Sequence, residues 1–342
     1  MASNPNDVFR DARRAGASDV HLVFGKPLLF RIDGALVSQG KEKCTDTSLE
    51  HFIHALLSAE EFARLKRERE IDCSYALKSG VRLRINCHFE RGHLGLAARV
   101  IPDQIPSLSS IGFVQEMTDL CMLQSGLVLF TGPTGAGKST SMAAMIQHIN
   151  AERAVSIVTL EDPVEFIFPE GKSIIRQRQF GEDFLSFAEA LRRVLRQDPN
   201  IVMVGEMRDL ETIAAALTLA ETGHLIFATL HTPNAVQAVN RIIDVFPPHQ
   251  QQQIRFQLSL SLRAIIAQRL LPLEGGRRVA LRELLINTPA VAHIIRDNRL
   301  QELSSVLQVG RGSGMFTFEQ DSKRLLKGGR ISKETALRAF QD

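Results

Sequence analysis

Residues 126–141 read GLVLFTGPTGAGKSTS. Residues 127–130 are a short, continuously apolar run, the pattern of a buried strand. They lead directly into Gly132-Pro133-Thr134-Gly135-Ala136-Gly137-Lys138-Ser139, which satisfies G-x-x-x-x-G-K-[ST] at every fixed position, and residues 142–149 follow as a series of helix formers. Strand, glycine-rich loop and helix, in that order, are the context a phosphate-binding loop requires. Three glycines let the loop curl so that several backbone N–H groups face one centre with no Cβ in the way. The helix beginning near Lys138 adds its positive dipole end to the same point. In such a loop the lysine reaches the β- and γ-phosphates and the serine hydroxyl holds Mg²⁺, roles that fall here to Lys138 and Ser139.

Composition sets the frame around this loop. With 342 residues, 44% of them hydrophobic and 23% charged, the chain has room for two or three ordinary globular domains and a substantial core. A net charge of only +3, no tryptophan and Tyr75 as the single tyrosine argue against a nucleic-acid translocase, which needs a basic groove and stacking platforms. No apolar run is long enough to span a bilayer, and the opening MASNPNDVFRDARRAG lacks an apolar secretory region. A cytosolic location is therefore expected. Cys44, Cys73, Cys87 and Cys121 are scattered singly without a C-x-x-C pair, which points to reduced structural thiols and to neither a zinc site nor a redox pair.

Upstream of the loop, residues 7–15 read as a helix, residues 20–24 and 28–32 as strands, with Asp33-Gly34 as a turn. Residues 49–65 carry a helical apolar pattern that ends in the mixed-charge run 66–70. Residues 71–77, 81–87 and 94–100 are strand-like, so the first hundred residues predict a small α/β domain. Two prolines within residues 101–106 suit an extended linker. Beyond it, strands at 127–130, 155–160, 201–204, 225–230 and 279–285 alternate with helices, notably at 187–196 and 210–222. That alternation predicts a mainly parallel sheet covered on both faces. After Pro289 the pattern is helical only. The fold class is thus α/β, and the divisions expected are 1–100, a linker at 101–112, an ATPase core at 113–288 and a helical region at 289–342.

Three further strands end in polar groups. Residues 201–206, IVMVGE, place Glu206 at a strand end, where a phosphate-loop ATPase keeps an acid that supports Mg²⁺ and the attacking water. Gly205 stands where the usual aspartate would be, so Glu206 becomes the residue that polarises water. Residues 159–165, TLEDPVE, bring Glu161, Asp162 and Glu165 to another strand end. Acids at the C-terminal edge of a parallel sheet face the ligand crevice, and a solvated turn is the competing reading. Residues 228–232, ATLHT, close a third strand with His231, to which two roles are open: sensing the γ-phosphate or orienting Glu206.

Together these segments closely resemble the PilT branch of the secretion ATPases, the type IV pilus retraction motors. The resemblance runs through ASDVHLVFGKPLLFRIDGAL, GPTGAGKST, TLEDPVEF, RQDPNIVMVGEMRDLETIAAALTLAETGHLIFATLHT, RIIDVFPPHQQQQIRFQLS and GMFTFEQDSKRLLKGGRISKETAL, and so covers nearly the whole chain. It implies an N-terminal PAS-like α/β domain, a RecA-like phosphate-loop core and C-terminal helices. It also implies a homohexamer in which ATP and Mg²⁺ sit between domains, with groups supplied across a subunit boundary. By the same resemblance Thr140 completes the phosphate loop, Glu161, Asp162 and Glu165 form the Asp box, Glu206 belongs to the Walker B motif and His231 to the His box. Arg84, in VRLRIN, and Arg99, in AARVIP, match N-terminal arginines that approach the phosphates. The function implied is pilus retraction powered by ATP hydrolysis. The implied location is the cytoplasmic side of the inner membrane at the pilus base, without a membrane span. The implied partners are an inner-membrane platform protein and an assembly or retraction ATPase paralogue, with no nucleic acid. Two segments depart from the family pattern: Gln177-Arg178-Gln179-Phe180-Gly181 stands for QREVG, and residues 290–297, AVAHIIRD, stand for AIRNLIRE. The alternatives are an accessory or regulatory paralogue and an assembly ATPase, the latter usually marked by a tetracysteine zinc site and a longer N-terminus, neither of which this sequence carries.

Overall fold

The computed structural model describes residues 4–340 except 33, 78–79, 81, 102–103 and 274–277. The chain separates into two compact units, Met1–Gln104 and Ile105–Asp342. Asp33 of the expected turn, Val81 of the expected strand 81–87, and Pro102 and Asp103 of the expected linker lie outside the described residues.

The first unit runs α1 (Pro5–Arg14), β1 (Asp19–Leu22), β2 (Pro27–Ile32), β3 (Ala35–Lys43), α2 (Asp46–His54), α3 (Ala59–Glu68), β4 (Glu70–Ala76), β5 (Arg82–Glu90) and β6 (His93–Ile101). Its six strands form one antiparallel sheet in the order β3-β2-β1-β6-β5-β4. Period-two alternation fixes which face is buried. Leu83, Ile85 and Cys87 of β5 and Leu96 and Ala98 of β6 enter the core with Phe9 of α1, Phe52 of α2 and Leu65 of α3. The intervening positions of the two strands include Arg84 and Arg99, which face each other in register and are exposed.

The helix expected over residues 49–65 is two helices. Ser58 interrupts it: its hydroxyl accepts from the Glu61 N–H, and the Glu61 carboxylate accepts from the Ser58 N–H. This reciprocal capping box satisfies two donors at a helix start, and so begins α3 where an apolar pattern alone reads straight through. Strand β3 went unread because all nine of its residues are exposed, leaving no buried face to print an alternation.

The second unit runs α4 (Gln115–Asp119), β7 (Gly126–Thr131), α5 (Lys138–Glu152), β8 (Ser156–Glu161), β9 (Ile174–Gln179), α6 (Phe187–Val194), β10 (Ile201–Val204), α7 (Leu210–Glu221), β11 (Leu225–Thr229), α8 (Ala235–Asp244), α9 (Pro248–Ser261), β12 (Leu262–Pro272), β13 (Arg278–Ile286), α10 (Pro289–Arg296), α11 (Leu303–Val309), α12 (Phe318–Lys327) and α13 (Lys333–Arg338). Its seven strands are ordered β13-β12-β7-β11-β10-β8-β9; every pair is parallel except β12–β13. All of β7 is buried. Leu127 and Leu129 pack into a cluster with α6, α7, α8 and α9, while Val128 and Phe130 pack with Met142, Met145, Ile146 and Ile149 of α5. Burial on both faces is why the strand reads as a continuous apolar run. No described helix is long and apolar enough to cross a membrane.

Candidate nucleotide site

The phosphate loop joins β7 to α5. Gly132, Gly135 and Gly137 all have positive φ (143°, 78° and 82°), a conformation that L side chains resist. Gly137 is the N-cap of α5, no side chain caps that helix, and its first turn holds no acid. The first-turn N–H groups are therefore available to an anion. Lys138 is buried, and its Nζ donates to the carbonyls of Gly132 (2.7 Å) and Pro133 (3.0 Å). Burial pulls its pKa down, opposed by the fields of Glu206 and Glu165. Ser139 and Thr140 are half-buried in the first turn, whereas Pro133, Thr134 and Gly135 are exposed at the tip and Ala136 is buried.

The strand order places the other candidates beside the loop. Next to β7 comes β11, which leads into His231; next comes β10, which leads into Glu206; next comes β8, which ends at Glu161. Hydrogen bonds beyond the ladders tie these ends together. Leu230 N–H donates to Phe130 (2.9 Å), Met207 N–H to Thr229 (3.1 Å) and Gly205 N–H to Leu160 (2.7 Å). The Thr229 hydroxyl donates to the Gly205 carbonyl (2.5 Å), and the Thr131 hydroxyl meets both the carbonyl and the hydroxyl of Thr232. Gly205 has a steric reason: a Cβ there would lie 3.1 Å from the Leu160 carbonyl oxygen and 3.4 Å from the Glu161 Cα.

Glu206 is held from two sides. His231 Nε2 is 2.9 Å from its Oε1, and an Arg208 guanidinium nitrogen is 2.8 Å from its Oε2. Burial pushes the Glu206 carboxyl up, but the hydrogen bonds and charges of Arg208 and His231 outweigh it and leave the group below the ordinary carboxylate range. It is thus ionised at neutral pH. Glu161 is different: it is buried, accepts from the Thr159 hydroxyl (2.6 Å) and the Gln177 amide (3.2 Å), and burial raises its pKa. Asp162 and Glu165 are exposed; Asp162 acts on Arg208 and Glu165 on Lys138 through their fields. Lys138, Glu206, His231, Asp162 and Glu165 therefore share one electrostatic neighbourhood. Arg84 and Arg99 belong to the other unit, where Arg99 Nε pairs with Asp19 at 3.1 Å.

Further side chains, not among the site candidates named from the sequence, complete the site. Arg208 stands two positions after Glu206. Gln177 and Gln179 alternate with Arg176 and Arg178 along β9 and face the acidic loop: Gln177 bonds Glu161, the Phe166 carbonyl and the Phe168 N–H, and Gln179 accepts from the Val164 N–H. The RQRQ alternation was the available signal, masked because a polar strand at a sheet edge resembles a loop. Gln268 and Arg282, both buried, lie behind the phosphate loop. Among the described residues no cluster of three or more His, Cys, Asp or Glu side chains could hold a metal by themselves. The donor set suits Mg²⁺, which takes few protein ligands and completes its shell with phosphate oxygens and water.

A mainly parallel sheet that brings a glycine-rich loop, a glutamate and a histidine to neighbouring strand ends is the RecA-like phosphate-loop ATPase fold. The chain belongs to the type II/IV secretion system protein family, which matches residues 3–284. It is 39% identical over 323 residues to the type IV pilus retraction ATPase PilT of Pseudomonas aeruginosa, covering 94% of each chain. It is 40% identical over 329 residues to the twitching motility protein of Neisseria gonorrhoeae, covering 95% of this chain and 87% of that one. Its fold superimposes on the crystal structure of the pilus retraction motor PilT with bound ADP at a TM-score of 0.92 and 41% identity, over 99% of this chain and 98% of that one.

Proposed function

We propose that this protein is an ATP-hydrolysing motor that powers type IV pilus retraction, drawing pilin subunits out of the fibre. The observation that carries the reading is the Arg208–Glu206–His231 grouping at the strand ends beside the phosphate loop, in a chain similar along nearly its whole length to PilT. Lys138 and the Gly132–Thr140 backbone bind the triphosphate, and Ser139 and Glu206 are the residues that would hold Mg²⁺. Held there, Mg²⁺ would supply positive charge to offset that of the phosphates. Glu206, ionised by its two partners, accepts the proton of the attacking water, and His231 fixes its orientation. Glu161, Asp162 and Glu165 shape the acidic wall. By the family resemblance, Arg84 and Arg99 would supply guanidinium forks that stabilise charge on the γ-phosphoryl group.

We take the protein to act as a homohexamer at the cytoplasmic face of the inner membrane, against a platform protein at the pilus base. Residues 1–100 would form the moving domain, 113–288 the ATPase core and 289–342 the helical region; of the expected linker 101–112, the residues from Ile105 on pack as part of the second unit. Hydrolysis would swivel the first domain on the core through the linker, a motion of the hinge type. Deleting the gene tests the reading: excess surface fibres without twitching are expected, with rescue by the unaltered gene and none by Glu206→Ala. Absence of fibres would instead indicate an assembly ATPase.

A further inference from the structure

Gln268, on β12, touches the phosphate loop at three of its positions. Its Nε2 donates to the Ala136 carbonyl at 2.5 Å. A Cβ on Gly132 would lie 2.2 Å from its backbone oxygen, and a Cβ on Gly137 would lie 2.9 Å from its Nε2. On its other side, Gln268 Oε1 accepts from Arg282 Nε and from the Ser141 hydroxyl, each at 2.8 Å. Arginine carries donors only, so Arg282 dictates which end of the amide faces it and hence which end faces the loop.

Arg282 itself is 1% exposed. Its guanidinium also donates to the Ile111 carbonyl (2.8 Å) and lies over the Phe113 ring, 4.7 Å from the centroid. Among the described residues no carboxylate forms an ion pair with it. Asp321 acts on it through its field, but its oxygens accept from the Arg282 backbone N–H and from Arg324. Burial draws the guanidinium pKa down to about 10, so it stays charged at neutral pH. A buried cation without an ion pair depends on such hydrogen bonds and ring contacts, so Arg282 holds its acceptors, Gln268 among them, in fixed positions.

Resting on the nucleotide reading above, we propose that Gln268 is the positioning residue of the phosphate loop and that Arg282 sets its orientation. A trans peptide points its C=O and N–H in opposite directions. Pinning the Ala136 carbonyl on Gln268 therefore aims the Gly137 N–H to the other side of the loop, toward the phosphates. Ser141 ties the same amide to α5, so loop and helix start are held as one anion cradle.

The test measures the affinity for a fluorescent ADP analogue, the KM and kcat for ATP, and the melting temperature without nucleotide, for Gln268→Glu and Arg282→Met. Glu at 268 can still accept from Arg282, now as an ion pair, but it loses the donor to Ala136 and sets two oxygens against each other. Melting temperature should change little, because the new ion pair with Arg282 offsets the lost hydrogen bond, while ADP affinity falls about tenfold (about 1.4 kcal/mol), because the loop peptide is no longer held in the orientation that faces the phosphates. Arg282→Met frees the amide to flip and should weaken ADP binding about three- to tenfold, with KM raised more than kcat is lowered. Affinity within twofold of the unaltered protein in both variants, or affinity lost only in step with melting temperature, overturns the inference. Failure of the unaltered protein to bind ADP would overturn the nucleotide reading instead, so the two failures are distinguishable.

Discussion

Replacing Gly132 by alanine should damage the phosphate loop more than the same change at Gly135, and the difference follows from what each Cβ would meet. At Gly132 the φ of 143° is one that an L residue adopts only under strain, and the Cβ would fall 2.2 Å from the Gln268 carbonyl oxygen. Backbone strain of this kind costs about 1–3 kcal/mol. Forcing an atom into a packed site costs about 1–3 kcal/mol more, and here the obstacle is backbone of a buried strand, which yields little. At Gly135 the φ is 78°, with nothing within 4 Å, which leaves only the left-handed backbone cost of about 1–2 kcal/mol. With about 2–4 °C of melting temperature per kcal/mol for a domain of this size, Gly132→Ala should melt roughly 5–20 °C below the unaltered protein and Gly135→Ala only a few degrees below it. Differential scanning calorimetry of the three proteins, without nucleotide, reads this directly. Equal melting temperatures for the two variants would refute the claim that Gly132 is fixed by its contact with β12.

Three other outcomes are expected. Burial raises the Glu206 carboxyl, but Arg208 and His231 bring it below the ordinary range, so the acid limb of ATP hydrolysis should lie at low pH. Arg208→Gln removes the larger of the two lowering partners and should move that limb to higher pH in a kcat/KM–pH profile. Glu161 carries the opposite shift: burial raises its pKa, so its ionisation costs stability as pH rises from the ordinary value through the raised one. Glu161→Gln should therefore raise the melting temperature at pH 8 and change it little at pH 4, as a thermal-melt series across that range would show. Gln177→Ala takes one donor from that buried carboxylate and should destabilise by about 1–3 kcal/mol, measurable by urea unfolding.

Much of this architecture was legible in the sequence because the core strands are buried on both faces. Apolar runs such as residues 127–130 and 201–204 cannot sit on a surface, and the polar residue after each marks the edge where chemistry gathers. Strands with little apolar signature were not legible, since β3 is wholly exposed and β9 largely polar, and β12, though apolar and buried, was hidden because it follows a helix without an intervening turn residue. Missing β12 meant missing Gln268, and Arg282 reads as an ordinary strand residue until its neighbours are known. Ser58 shows the same limit locally, since a capping box can split an apolar helical pattern that periodicity joins. The three acids of TLEDPVE divide in the fold, because Glu161 is drawn into the sheet by Thr159 and Gln177 while Asp162 and Glu165 remain at the surface.

The central claim is that Lys138 binds the triphosphate and Glu206 drives its hydrolysis. Phosphate release and ADP binding, measured on the same preparations of the unaltered protein, Lys138→Ala and Glu206→Gln, test it most directly. Binding and turnover are expected for the first, neither for the second, and binding without turnover for the third. Turnover retained by Glu206→Gln, or binding retained by Lys138→Ala, would contradict it.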